Sequence, residues 1–334
     1  MSPWGSQRLF GAGILIAAVL GLAACGQRES TPAAGSLKEI QFSILSAQGQ
    51  ASAGPLWQPL LDDMSRAVGV PVKPHFGESY AGLVADMEAG RTQVGWFSAQ
   101  PAIEAIDRAD AEVIARTVDR DGADSYRSTL IVKRGSGLTL SSVLECGGRL
   151  NFGIGDAQST SGTLAPMTFL FNPRRIQPDQ CFASVRPANH ETNAFAVAAG
   201  TLDVATSNSV SAAALRVQSP AIAEQLETIW QSPPIPESGI LIRDDLDPAL
   251  KEKVRSFFLT YGQGSGVEAE RQRQVLATLR YSRFSAADDD YLDPVREMIA
   301  DQALTAARAS GDRAAVTAAE RELQRLRAKR EVQP

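Results

Sequence analysis

Leu150-Asn151-Phe152-Gly153-Ile154-Gly155-Asp156-Ala157-Gln158-Ser159-Thr160-Ser161-Gly162 reads as a strand that runs into a tight loop. Leu164, Met167, Phe169 and Leu170 follow as the apolar start of a helix. Strand, loop and helix in that order are the unit of an α/β fold. The loop also carries chemistry. Ser159, Thr160 and Ser161 bring three hydroxyls to a place where a helix presents unpaired N–H donors and the positive end of its dipole. That combination makes a seat for a small oxyanion. Taken alone, the loop reads equally well as an ordinary Ser/Thr helix cap. No Gly-Lys-Ser/Thr follows the glycines, so it is not a nucleotide-hydrolysing loop. It holds no Lys or Arg, so neutral donors would grip the anion.

The same alternation continues on either side. Residues 40–44 alternate like a strand, and Trp57, Leu60, Leu61, Met64 and Val68 follow at helical spacing up to Gly69. Residues 70–76 read as extended, Ser79-Tyr80-Ala81-Gly82 opens a helix, and residues 94–97 form a strand. A helix over 102–109 and a strand over 113–115 complete a first unit, predicted to have parallel strands and crossover helices. Residues 128–133 read as a crossing into a second α/β unit over 136–228. That unit includes the Ser/Thr loop, a helix over 192–199 and a strand over 202–205. The chain returns near 229–234, and residues 240–242 and a helix over 250–261 rejoin the first unit. The expected organisation is lobe 1 from 38–133 plus 235–295 and lobe 2 from 134–234, a clamp with two crossings. Residues 296–334 are charged and Ala-rich. They read as a solvated or loosely docked helical tail, broken at Ser310-Gly311-Asp312.

The N-terminus states where the chain works. Arg8, an apolar run from Leu9 to Leu22 and the small-residue site Leu22-Ala23-Ala24-Cys25 describe a leader over 1–24. The cysteine at the cut resembles a bacterial lipobox, which implies a lipidated Cys25 and a periplasmic, membrane-anchored protein. The Gly/Ser/Thr/Pro/Ala-rich residues 25–37 then form a tether. The other two cysteines, Cys146 and Cys181, flank the Ser/Thr loop. In an oxidising compartment they are expected to pair, the alternative being two buried thiols. The chain carries 33 basic and 38 acidic residues. That acidic balance argues against nucleic-acid binding.

Further segments stand in one order with the Ser/Thr loop: Trp57-Gln58-Pro59-Leu60, Glu78-Ser79-Tyr80-Ala81-Gly82, His190-Glu191-Thr192-Asn193-Ala194, Asp203-Val204-Ala205-Thr206-Ser207-Asn208 and Ile229-Trp230-Gln231-Ser232-Pro233. Together they resemble the phosphonate-binding proteins of ABC importers, over residues 38 to 295. The resemblance implies a two-lobed periplasmic binding protein fold of type II, α/β in class, that closes over phosphonate, phosphite or phosphate. It implies that Ser159, Thr160 and Ser161 hold the anion, His190 adds a ring donor and Tyr80 adds a hydroxyl from the opposite lobe. By itself His190 reads as a buried or capping histidine. Members that take aminoalkylphosphonates carry carboxylates at the positions of Val210 and Ser238, and a tyrosine common in that pocket is Phe97 here. A ligand without an amine is therefore expected, in a pocket that includes Phe97 and Ser238, with Glu237 beside it as a conceivable substitute. The expected partner is an ABC permease, and the protein works as a monomer without a cofactor. The alternative is a sensory protein that presents the same anion to a membrane histidine kinase. With two histidines, no HExxH and no Gly-x-Ser-x-Gly elbow, the chain does not read as an enzyme.

Overall fold

The computed structural model describes residues 37–45, 50–77 and 79–332. The leader over 1–24, Cys25, the tether up to Ser36 and Glu78 lie outside the described residues.

Four strands come first: β1 (Ile40–Ile44), β2 (Val72–His75), β3 (Val94–Phe97) and β4 (Ala111–Asp119). A short β5 (Ser125–Tyr126) leads to β6 (Ser128–Lys133), β7 (Asn151–Ile154), β8 (Ser184–Pro187), β9 (Val204–Asn208) and β10 (Leu226–Gln231). The chain then returns through β11 (Ile235–Pro236) to β12 (Gly239–Arg243) and β13 (Tyr281–Ser285). The first sheet has the order β13-β4-β12-β3-β1-β2 and the second β10-β6-β9-β7-β8. Each sheet is the floor of one lobe, and from Leu37 onward the lobes pack as one compact unit.

The first sheet is mixed rather than parallel throughout. β1 pairs in parallel with β2 and β3, as the helical crossovers require. The returning β12 slots between β3 and β4 and runs antiparallel to both. It enters from the other lobe, not through a crossover helix, so the direction rule does not bind it. β1 is covered on both faces. Ile40, Phe42 and Ile44 are fully buried, and Ser43 is buried as well, its hydroxyl donating to Thr92 Oγ1 at 2.9 Å. Phe42, Trp57 and Phe258 meet in this core, with ring centroids 5.7 and 6.2 Å from Phe42.

Residues 128–133 are not the crossing that their sequence suggested. They form β6, flanked by β9 on one side and β10 on the other, with Leu130 and Val132 buried among Phe152, Phe171 and Val204. Five apolar or small residues in a row suit a strand covered on both faces, and the crossing precedes them. The two crossings lie side by side, because β5 and β11 pair antiparallel with Tyr126 opposite Ile235. The second lobe's core stacks Phe152 on Phe182 at 4.5 Å, and Cys146 and Cys181 are joined by a disulfide beside it.

The C-terminal segment is more firmly built than a solvated tail. Helices Asp293–Ser310 and Arg313–Val332 form a hairpin that turns at Gly311, which takes a left-handed φ of 72°. Val295 and Met298 are buried in a cluster with Phe97 and Leu164. Leu323 and Leu326 cover Ala300 and Leu304. The apolar residues are few, but helical periodicity collects them on one stripe. Lys329 pairs with Asp290 and Asp293, both at 2.7 Å, and ties the hairpin's end back to its start.

Candidate functional site

The Ser/Thr loop leaves the C-terminal end of β7, where open α/β sheets place their ligands. It does not open a regular helix. Thr160–Leu164 and Met167–Phe171 are two wide π-helical turns, with Leu164 N–H donating to Ser159 O at 3.0 Å. Gly155 and Gly162 make the loop tight. Gly155 N–H donates to Gly162 O at 3.0 Å, and a Cβ on either glycine would lie within 2.7 Å of the other's Cα. Ser159 Oγ accepts from Gly162 N–H at 2.9 Å and caps the first turn.

Ser161 is held from three sides. Its Oγ lies 3.1 Å from His190 Nε2 and accepts from Asn208 Nδ2 at 3.1 Å. Its carbonyl accepts from Ser128 Oγ at 2.6 Å. His190 begins the helix His190–Ala199, whose cap is Asn189, accepting from Thr192 N–H at 2.8 Å. The sequence reading had begun that helix two residues later. Asn208 ends β9 and caps the next helix by accepting from Ser211 N–H at 2.6 Å. From the other lobe, Tyr80 opens the helix Tyr80–Glu88, and its hydroxyl faces Ser159. The hydroxyl of Tyr126, on the crossing strand β5, faces Ser161.

These groups line one cavity of about 120 Å³ between the lobes. Tyr80, Ser159, Ser161, His190 and Ser238 all border it. Two expected members do not. Thr160 is wholly buried, and its Oγ1 accepts from Gln100 N–H of the first lobe at 2.8 Å. The wide turn rotates that hydroxyl away from the cavity and into the lobe interface. Phe97 is wholly buried in the core beside Leu83 and Val113, because alternation along β3 sends Trp96 toward the cavity instead. Sequence reading gave no role to Tyr126, Asn208, Trp57 or Trp96, which also border the cavity. Asn208 and Trp57 stood in the matching segments. Tyr126 carried no signal, because its position depends on where the chain crosses.

The electrostatics favour neutral donors around Ser161. Burial pushes the His190 imidazole down to about 4, so the ring is uncharged at neutral pH. Burial also keeps the Tyr80 and Tyr126 phenols protonated. Among the described residues that border the cavity, Arg280 is the only Lys or Arg. It stands beside Leu279 and Tyr281. An aromatic group of Trp57, Trp96 and Tyr281 also borders the cavity, with Trp57 5.4 and 6.5 Å from the other two rings. No group of His, Cys, Asp and Glu among the described residues could hold a metal ion.

Residues 42–292 match the family model of the ABC transporter, phosphonate, periplasmic substrate-binding protein. The phosphonates-binding periplasmic protein of Escherichia coli K12 is 36% identical over 262 residues, which are 78% of this chain and 76% of that one. The phosphate-import protein PhnD of Mycolicibacterium smegmatis is 22% identical over 239 residues, 69% of this chain and 74% of that one. Among solved structures, the binding protein component of a Pseudomonas aeruginosa ABC phosphonate transporter superposes with a TM-score of 0.82 at 36% identity. That match covers 88% of this chain and 99% of the other. PhnD1 of Prochlorococcus marinus, solved in complex with methylphosphonate, shares the fold at a TM-score of 0.69 and 19% identity, over 78% of this chain and 97% of that one. With its fold, its interlobe cavity and a family match that spans most of its length, this chain belongs to the phosphonate periplasmic substrate-binding proteins of ABC transporters.

Proposed function

We propose that this chain captures a phosphonate, phosphite or phosphate group without an attached amine and delivers it to an ABC permease. The observation that carries the reading is the convergence of Ser159, Ser161, His190, Tyr80 and Tyr126 on one cavity between the lobes. A tetrahedral oxyanion offers three or more acceptor oxygens and needs several donors at once. Hydrogen bonds to a charged group contribute about 1.5–3 kcal/mol each, so five gross about 7–15 kcal/mol. Micromolar binding requires about 8 kcal/mol net, which neutral donors supply. Carboxylates are absent at Val210 and Ser238, so the ligand's second substituent is small and uncharged. No bond is made or broken: the protein closes, docks and releases. In this reading Cys25 carries the lipid, the mature protein is a periplasmic monomer, and the lobes divide near the β5/β11 ribbon.

Calorimetry with methylphosphonate, phosphite, phosphate and 2-aminoethylphosphonate tests the ligand class. Micromolar or tighter binding of one of the first three is expected, with the amine compound weaker. No binding by any of them would remove the oxyanion role, and preference for the amine would remove the restriction on its substituent.

Thr160 gives a second test. Its hydroxyl accepts from Gln100 N–H across the lobes, a contact that in this reading forms when they close. In Thr160→Ala that half-buried donor loses its acceptor in the closed form, whereas water serves it in an open one. The penalty of about 1–3 kcal/mol falls on closure alone, so ligand affinity should drop about tenfold. Thr160→Ser should restore it. Equal affinity in the alanine variant would show that this clasp does not govern closure.

A further inference from the structure

The carboxyl of Glu237 borders the same cavity, on the returning crossing between β11 and β12, and is 5% exposed. The structure leaves it almost unserved. Oε1 has no hydrogen-bond partner among the described residues. Oε2 accepts two long bonds, each 3.4 Å, from the Thr117 hydroxyl on β4 and from Ser238 N–H.

Among the described residues no cation pairs with it, although Arg280 borders the same cavity. Asp119 at the end of β4 and Asp124 on the outgoing crossing press on it with like charge. Tyr126 on β5, Tyr281 on β13 and Tyr291 in the turn Asp289–Leu292 surround it with phenols. Arg116 on β4 pairs with Asp124, 3.1 Å away, so those two charges largely offset one another and Asp119 is the stronger like charge. A carboxylate in such a place repels any anion that enters the cavity with it. The buried carboxyl escapes that repulsion only by holding its proton.

We propose that Glu237 is a specificity-determining residue that stays a neutral acid in the liganded protein, so that capture of the anion is coupled to uptake of one proton. The inference rests on the oxyanion reading of the cavity. The proton comes from solvent, and no other bond changes. Burial, with the two nearby acids, lifts the carboxyl to about 7 in this conformation, so it is partly ionised at neutral pH. The bound anion lifts it further. Linkage is reciprocal: protonation strengthens anion binding by the factor by which the anion strengthens protonation.

The test is calorimetry of methylphosphonate on the full chain and on Glu237→Gln, from about pH 5.5 to 8.5, in two phosphate-free buffers of different ionisation enthalpy. The glutamine variant cancels the ligand's own titration. The two proteins should bind alike at about pH 5.5. At about pH 8.5 the wild type should be weaker than the variant by about 30-fold, the factor set by 1.5 pH units above the carboxyl's midpoint. Wild type should also take up about one more proton per anion at that pH. Glu237→Met serves the same comparison if the glutamine variant does not fold. Parallel pH profiles in wild type and variant would overturn the proposal. So would a preference for 2-aminoethylphosphonate that Glu237→Gln abolishes, because the carboxylate would then be an ammonium seat. If neither protein binds methylphosphonate, phosphite or phosphate at about pH 5.5, the oxyanion reading itself fails and takes the proposal with it.

Discussion

Replacing Ser161 with aspartate is expected to raise the dissociation constant for methylphosphonate about 1,000-fold. Ser161 Oγ sits where His190 Nε2, Asn208 Nδ2 and the Tyr126 hydroxyl converge, so a carboxylate there faces the anion directly. Two unit charges about 4 Å apart repel by about 4 kcal/mol at an effective dielectric constant of 20. Every 1.4 kcal/mol is about tenfold in affinity. The fold should tolerate the change, because Asn208 still donates and His190 gains an anion to bond. At low pH His190 would take up a proton beside the new carboxylate and blunt the effect, so the loss should be largest above neutral pH. Calorimetry at about pH 8 checks the affinity, and a melting curve checks the fold. Unchanged affinity in a folded variant would place the anion elsewhere in the cavity.

Loss of the Cys146–Cys181 bridge is expected to carry the largest stability change. The bridge spans a sequence separation of 35, and that loop contains β7, the Ser/Thr loop and both π-helical turns. In the chain-entropy model, closing a loop of this size stabilises the folded protein by about 4 kcal/mol. The double serine variant should therefore unfold at lower denaturant concentration, with its midpoint displaced by that energy divided by the slope of the transition. Cys181 is buried in the cluster that holds Phe152 and Phe171, and Cys146 packs against that cluster, so the reduced core should hold its shape at moderate temperature. Saturating ligand should recover part of the loss, because only the folded clamp binds it. Denaturant melts of the wild type with and without reductant supply the same comparison without a mutation. Coincident melts would mean that the reduced, unfolded chain is already held compact over this segment.

Local chemistry decided much of this protein before any tertiary contact formed. The strand running into Gly155 and Gly162 and the cap before His190 are short-range patterns, and each became the element that its residues favour, whereas the run of three hydroxyls opened two wide turns in place of a regular helix. The two-lobed α/β class followed from the order of such patterns. Tertiary structure decided what depends on direction and on distance along the chain. Thr160 and Ser161 are adjacent and chemically alike, yet one faces the lobe interface and the other the cavity, because a wide turn sets their angle. Residues 128–133 became a central strand because β9 and β10 arrive on both sides from far downstream. Tyr126 and Glu237 are more than a hundred residues apart and face one another only because β5 and β11 pair. Glu237 shows the limit most plainly: its residue type implies a charge, and only burial without a partner turns it toward a neutral acid.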